Sequence, residues 1–120
     1  MEARRIRQGD IFWLDDCRPL HGDLAKRRPV VVLSPDDSIS KQPDVLVVAC
    51  TSTVYPSNKT AIELPSRERT PQTRTGLNRR TWAVPEWLVT VESNLLVDRA
   101  GRITGATLRR LLEAVTKTRQ

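Results

Sequence analysis

Lys26, Arg27 and Arg28 stand directly before Pro29 and a run of three valines, in the string KRRPVVVLSP. Guanidinium groups carry fixed N–H donors that match phosphate and carboxylate oxygens, so three cations at the mouth of an apolar strand invite anion chemistry. A second cationic group lies in SRERTPQTRTGLNRR, Ser66–Arg80, where Arg67, Arg69, Arg74, Arg79 and Arg80 outweigh Glu68. Charge gathered on two loops, Arg18–Arg28 and Ser66–Arg80, reads as the rim of a binding surface. For Ser66–Thr75 alone a solvated loop fits equally well. His21, in the first loop, titrates near neutrality if unperturbed. With Cys17 and Cys50 it makes too small and too scattered a set for a zinc framework, and no metal is expected.

The whole chain bounds the partner. Its 120 residues are one domain by length, 1–120, with enough material for one modest core. Hydrophobic residues are 38% and charged residues 28%, a globular rather than disordered composition. The net charge of +6 calls for an anionic partner, with nucleic acid favoured over an acidic protein or a membrane surface. The first residues, MEARRIRQGD, lack the apolar core of a signal peptide, and no apolar run approaches the roughly 20 residues that span a bilayer. A cytoplasmic, reducing setting is the expectation. Cys50, in VLVVACTST, reads as a small apolar residue on a buried strand, and a bridge to Cys17 stays open.

Short strands must position these residues. Asp10–Leu14 follows a Gly9-Asp10 turn and is aromatic and β-branched. Cys17–Arg27 is polar, carries Pro19 and Gly22, and reads as a loop. Val30–Leu33 forms a second strand, stopped by Ser34-Pro35-Asp36-Asp37. Val45–Cys50 is apolar without alternation, as for a strand covered on both faces. Thr60–Leu64 alternates, and Thr81–Val84 and Leu88–Glu92 read as strand segments broken at Pro85. In Thr104–Lys117, Leu108, Leu111, Leu112 and Val115 recur at helical spacing behind Thr104 as N-cap. The pattern predicts a mainly β fold, a small barrel with one C-terminal helix over a face or an end.

The order of motifs is specific where no single one is. GDIFWLD is followed by RRPVVVLS, then VVACTST, then TGLNRRTWAV, then AGRIT leading into the last helix. From about Gly9 to Val115 this resembles the MazF/PemK toxin family. The resemblance implies an SH3-like β-barrel with a C-terminal α-helix and a homodimer. It also implies a metal-independent, cofactor-free endoribonuclease that cuts single-stranded RNA at short motifs, held in check by a cognate antitoxin with an acidic segment.

Cleavage by an internal 2′-hydroxyl needs a base for the 2′-OH, a proton for the leaving 5′-oxygen, and donors for the charge on phosphorus. By resemblance, Arg28 of the Arg-Pro pair contacts the scissile phosphate and Thr51 is the active-site threonine, with Ser52 and Thr53 as neighbours able to share its task. Asp23 matches a Glu proposed as base in some members. His21 matches a loop His used in one branch, though a lone loop His is more often idle. Another branch places an Arg two residues before an Asp. Here that place reads Val84-Pro85-Glu86, so Glu86 keeps an acid while the Arg is lost. Lys26, Arg27, Arg74, Arg79 and Arg80 would form the phosphate track. Trp82 and Trp87 are expected in core or dimer packing, with base stacking as the alternative. Two rivals are a CcdB-like gyrase poison and a non-catalytic RNA-binding barrel. The first uses a C-terminal Trp-Gly-Ile, where this chain has AVTKTRQ.

Overall fold

The computed structural model describes residues 5–18, 26–53 and 59–119. Six strands form one antiparallel sheet: β1 (Asp10–Cys17), β2 (Lys26–Val32), β3 (Asp44–Thr51), β4 (Ile62–Leu64), β5 (Thr81–Glu92) and β6 (Asp98–Arg102), in the order β4-β5-β3-β2-β1-β6. A single turn of helix, α1 (Asp36–Ile39), links β2 to β3, and α2 (Gly105–Thr118) ends the described chain. The sheet curls into a half-barrel. The mainly β reading with a C-terminal helix is therefore correct.

The unbroken apolar runs of β2 and β3 have a direct cause. Alternate residues enter two cores on opposite faces of the sheet. Val31, Leu33, Val48 and Cys50 join Ile11, Leu64, Leu77 and the α2 residues Leu111 and Val115 in one core. Val30, Val32, Val45, Val47 and Ala49 join Phe12, Leu14, Cys17 and Leu96 in the other. Strands covered on both faces read as continuous rather than alternating hydrophobic sequence. The same division separates Cys17 from Cys50, and both are free thiols.

Several boundaries move. β2 begins at Lys26, so the three cations lie on the strand itself and not in a loop. Pro29 is tolerated inside β2 because it pairs only with Trp13 of β1. The β2–β3 ladder starts one residue later, at Val30, so no N–H is required of the proline. β1 runs on to Cys17 through an irregularity between Leu14 and Cys17, where Asp16 adopts a left-handed φ of 53°. Pro85 does not break β5. Cys50 pairs with Ala83 and Val48 with Leu88, so Val84–Trp87 bulge out opposite Ala49. Thr104 is the N-cap of α2 in extended conformation, but its side chain makes no capping hydrogen bond. β6, of sequence DRAGR, has no counterpart among the strands expected from the sequence.

The long loop between β4 and β5 is pressed onto β6. Gly76 has a φ of 73°, and a Cβ there would stand 1.9 Å from the Ala100 carbonyl oxygen. Arg102 N–H donates to the Arg74 carbonyl at 3.1 Å, and Thr75 Oγ1 donates to the Pro65 carbonyl at 2.8 Å. These contacts fix the path that carries Arg79 back to β5.

Candidate functional site

The β2–β3 ladder ends at Val30↔Ala49, and two residues beyond it on each strand are Arg28 and Thr51. Arg28 lies against Trp87, which packs on the core that holds Val30 and Ala49. A cavity of about 530 Å³ opens there, lined by Lys26, Arg27, Arg28, Pro29, Cys50, Thr51, Ser52, Thr53, Arg79 and Thr81, with Trp13, Val84 and Trp87 among its apolar lining. A larger cavity of about 640 Å³ lies against Arg5–Arg7, Asp36 and Ser93, and none of the proposed site residues reaches it.

The arginines differ in what holds them. Arg28 is half-buried, its Nε is enclosed without a hydrogen-bond partner, and no carboxylate pairs with it among the described residues. Its guanidinium carbon lies 4.9 Å from the centroid of the Trp87 ring. Arg27 is held by two acids. Its Nη1 donates to Asp15 at 2.7 Å, its Nη2 pairs with Asp98, and its guanidinium lies 5.4 Å from the Trp13 ring. Arg80 donates from Nε and Nη2 to Glu63 at 2.9 and 3.0 Å and lies 4.9 Å from the Trp82 ring. The hydrogen bonds from Arg80 hold the Glu63 carboxyl below its usual range despite some desolvation. The bonds to Asp15 and Asp98 hold the Arg27 guanidinium protonated even more firmly than usual.

Thr51 sits at the head of a small turn. Its Oγ1 donates to the Thr53 carbonyl and accepts from the Thr53 N–H, both at 3.1 Å. The hydroxyl thus shapes the loop that presents Ser52 and Thr53 to the cavity. Cys50 is wholly buried and its thiol is pushed well above the ordinary cysteine range, chiefly by burial, with Cys17 adding and Arg28 opposing. Burial likewise raises Cys17, again opposed by Arg28.

The sequence candidates sort clearly. Arg28, Thr51, Ser52, Thr53, Lys26, Arg27 and Arg79 come together around one cavity. Glu86 does not line it. Its carboxylate is exposed and accepts from the Thr60 hydroxyl at 2.9 and 2.7 Å, because the bulge that turns Trp87 toward Arg28 leaves Glu86 pointing elsewhere. Arg80 is turned to Glu63, and Arg74 lies against a different cavity beside Arg102 and Thr104. His21 and Asp23 lie outside the described residues. Among the described residues no three His, Cys, Asp or Glu side chains gather as a metal-binding group. Trp87, expected in packing, does pack against the core that holds Val30 and Ala49, and it also lines this cavity, a placement set by the strand bulge and not visible in the sequence.

A curled antiparallel half-barrel with a C-terminal helix, carrying a cationic and hydroxyl-lined cavity at the ends of two central strands, defines the architectural class. Residues 7–118 match the family described as PemK-like, MazF-like toxins of type II toxin–antitoxin systems. The chain belongs to that family. It is 30% identical over 98 residues, 82% of each chain, to the endoribonuclease MazF2 of Mycobacterium bovis. Its fold is similar to that of a MazF crystal structure from Deinococcus radiodurans, with a TM-score of 0.74, 14% identity and 97% of each chain covered. It is also similar to a mycobacterial endoribonuclease solved in complex with its cognate antitoxin, with a TM-score of 0.69, 18% identity, and 93% of this chain and 92% of that one covered.

Proposed function

We propose that this chain is the toxin of a type II toxin–antitoxin system, an endoribonuclease that cuts single-stranded RNA by attack of the 2′-hydroxyl on the adjacent phosphorus. The observation that carries the site is Arg28, without an ion-pair partner among the described residues, at the wall of a cavity shared with Thr51, Lys26 and Arg79. An uncommitted guanidinium keeps its charge and donors for an anion, whereas one already bound to carboxylates must first release them. In the reaction the 2′-oxygen bonds to phosphorus and the 5′-oxygen leaves, giving a cyclic phosphate and a free 5′-hydroxyl. Arg28 would stabilise the charge that builds on the non-bridging oxygens. The Thr51–Thr53 turn would shape the wall beside it, with Lys26 and Arg79 leading the backbone in. His21 and Asp23 are the candidate bases that fall nearest in sequence to this wall. None of these roles requires a metal or cofactor.

We further infer a homodimer acting in the cytoplasm as a single domain, and a cognate antitoxin whose acidic segment competes for the cationic cavity. Support for the antitoxin comes from the related mycobacterial complex. No helix among the described residues is long and apolar enough to cross a membrane. The test is primer-extension mapping of cut sites on a long RNA, wild type beside Arg28→Ala. Discrete cuts by the wild type that vanish in the variant, with the circular dichroism unchanged, are expected. Undiminished cutting by Arg28→Ala would remove Arg28 from the site. RNA binding without cleavage by the wild type would favour a binding module, and intact RNA with trapped gyrase–DNA complexes a gyrase poison.

A further inference from the structure

Among the described residues three arginines lie over tryptophan rings, and one pair differs from the others. Arg27 over Trp13 and Arg80 over Trp82 are also ion-paired, so carboxylates set where those guanidinium groups sit. Arg28 over Trp87 has no such partner among the described residues, and its Nε is enclosed and unbonded. Among the described residues, the ring face is the group that holds this side chain. An aromatic face attracts a cation through its quadrupole without neutralising it. It therefore fixes the group while leaving its charge and its Nη donors for a ligand.

The backbone puts the ring there by a specific device. Val84–Trp87 stand opposite the single residue Ala49, so β5 bulges at Pro85 and returns to register at Leu88. Bulges re-aim side chains, and here the last bulged residue lies against the strand end that carries Arg28. Trp87 is only half-buried, and it lines the same cavity as Arg28 and Thr51.

We propose that Trp87 is a positioning residue for RNA cleavage, whose ring fixes the Arg28 guanidinium over the scissile phosphate. This rests on the reading that Arg28 meets that phosphate. A positioned cation lowers the barrier only if it is in place when charge develops, and misplacement by about 1 Å can cost on the order of 100-fold in rate. Loss of the ring therefore acts on kcat, while RNA affinity, spread over Lys26, Arg79 and other cations, changes little.

The experiment measures kcat and KM on one short RNA with a mapped cut site, for wild type, Arg28→Ala, Trp87→Leu, Trp87→Met and Trp87→Phe, with thermal melts of each. Trp87→Leu and Trp87→Met are expected to lose roughly 10- to 100-fold in kcat with KM held within about threefold. Trp87→Phe, which keeps an aromatic face, recovers most of the loss. The methionine variant refills the volume and guards against a failure of the leucine variant to fold. Arg28→Ala combined with Trp87→Met should be no slower than Arg28→Ala alone. Wild-type kcat in a folded Trp87→Met, with Arg28→Ala inactive, would overturn the positioning role and leave the Arg28 reading standing. Full activity of Arg28→Ala would overturn the Arg28 reading and the positioning role with it.

Discussion

Arg27 of β2 reaches across β1 to pair with Asp98 of β6, 71 residues further along the chain. Trp13 lies beneath, facing Pro29 on one side of the sheet register and Asp98 on the other. The pair ties three strands together at the rim of the cavity, and both partners are about half-exposed.

That arrangement separates Arg27 from Arg79. Arg27 is already matched by Asp15 and Asp98, so RNA gains little from it unless an acid is displaced. Arg79 is exposed, lines the cavity, and has no ion-pair partner among the described residues. Each phosphate of a single strand neutralised by a free cation steepens the salt dependence of binding by about 0.7 on a log–log plot. Arg79→Ala is expected to flatten that slope by about this amount, and Arg27→Ala by much less. Equal flattening in both variants, measured by RNA titration at several salt concentrations, would mean that the Arg27 pairs open on binding.

Glu86 is expected to be dispensable for the chemistry. Its carboxylate is engaged by the Thr60 hydroxyl and lies off the cavity that holds Arg28. A general base must come within hydrogen-bond reach of the proton it removes. Glu86→Gln should leave kcat/KM within about twofold of wild type and the pH–rate profile in place. A drop of about 100-fold in a folded variant would make it a base after all.

The buried thiol of Cys50 links stability to alkaline pH. In the unfolded chain a cysteine ionises at about pH 8.5, whereas the folded environment keeps this one protonated. Above that pH the unfolded state holds fewer protons than the native one, so stability falls as pH rises. The slope contributed by one such group approaches about 1.4 kcal/mol per pH unit. Urea midpoints between pH 7 and pH 10 should decline, and less steeply in Cys50→Ala. In the native protein the thiol should resist iodoacetamide at pH 7.5, and rapid labelling of Cys50 would contradict its burial.

Much of this could be read from the chain because it is local. The valine runs of β2 and β3, the leucine spacing of α2 and the turn at Gly9-Asp10 each declare themselves within a few residues. What stayed hidden is set by distant partners. β6 escaped because DRAGR has no apolar alternation, and its place is fixed by pairing with β1 and by the Gly76 loop packed against it. The cations of 26–28 read as a loop because charge suggests solvent, yet β1 extends through its bulge to Cys17 and recruits them into a strand. The Arg-Pro pair marks out Arg28 in sequence, but nothing there shows that Arg27 and Arg80 are held by acids. The fold brings acids as well as rings to Arg27 and Arg80, and among the described residues only a ring to Arg28.

The contact between Gly76 and Ala100 gives a sharp test of how the site is held. An alanine at position 76 would need a φ of 73° and would place its Cβ 1.9 Å from the Ala100 carbonyl oxygen. The backbone of the loop or of β6 would have to move. Gly105 offers a matched control, with a φ of 58° and no atom within 4 Å of the added carbon. Gly105→Ala therefore carries the conformational cost alone, about 1–2 kcal/mol. Gly76→Ala adds a backbone clash and should cost about 3 kcal/mol or more, seen as a lower urea midpoint. It should also lower RNA cleavage in whatever fraction stays folded, because the same loop leads through Leu77, which is buried in the core, to Arg79 at the cavity wall. Equal destabilisation by the two substitutions would mean that β6 is not pressed against this loop in solution.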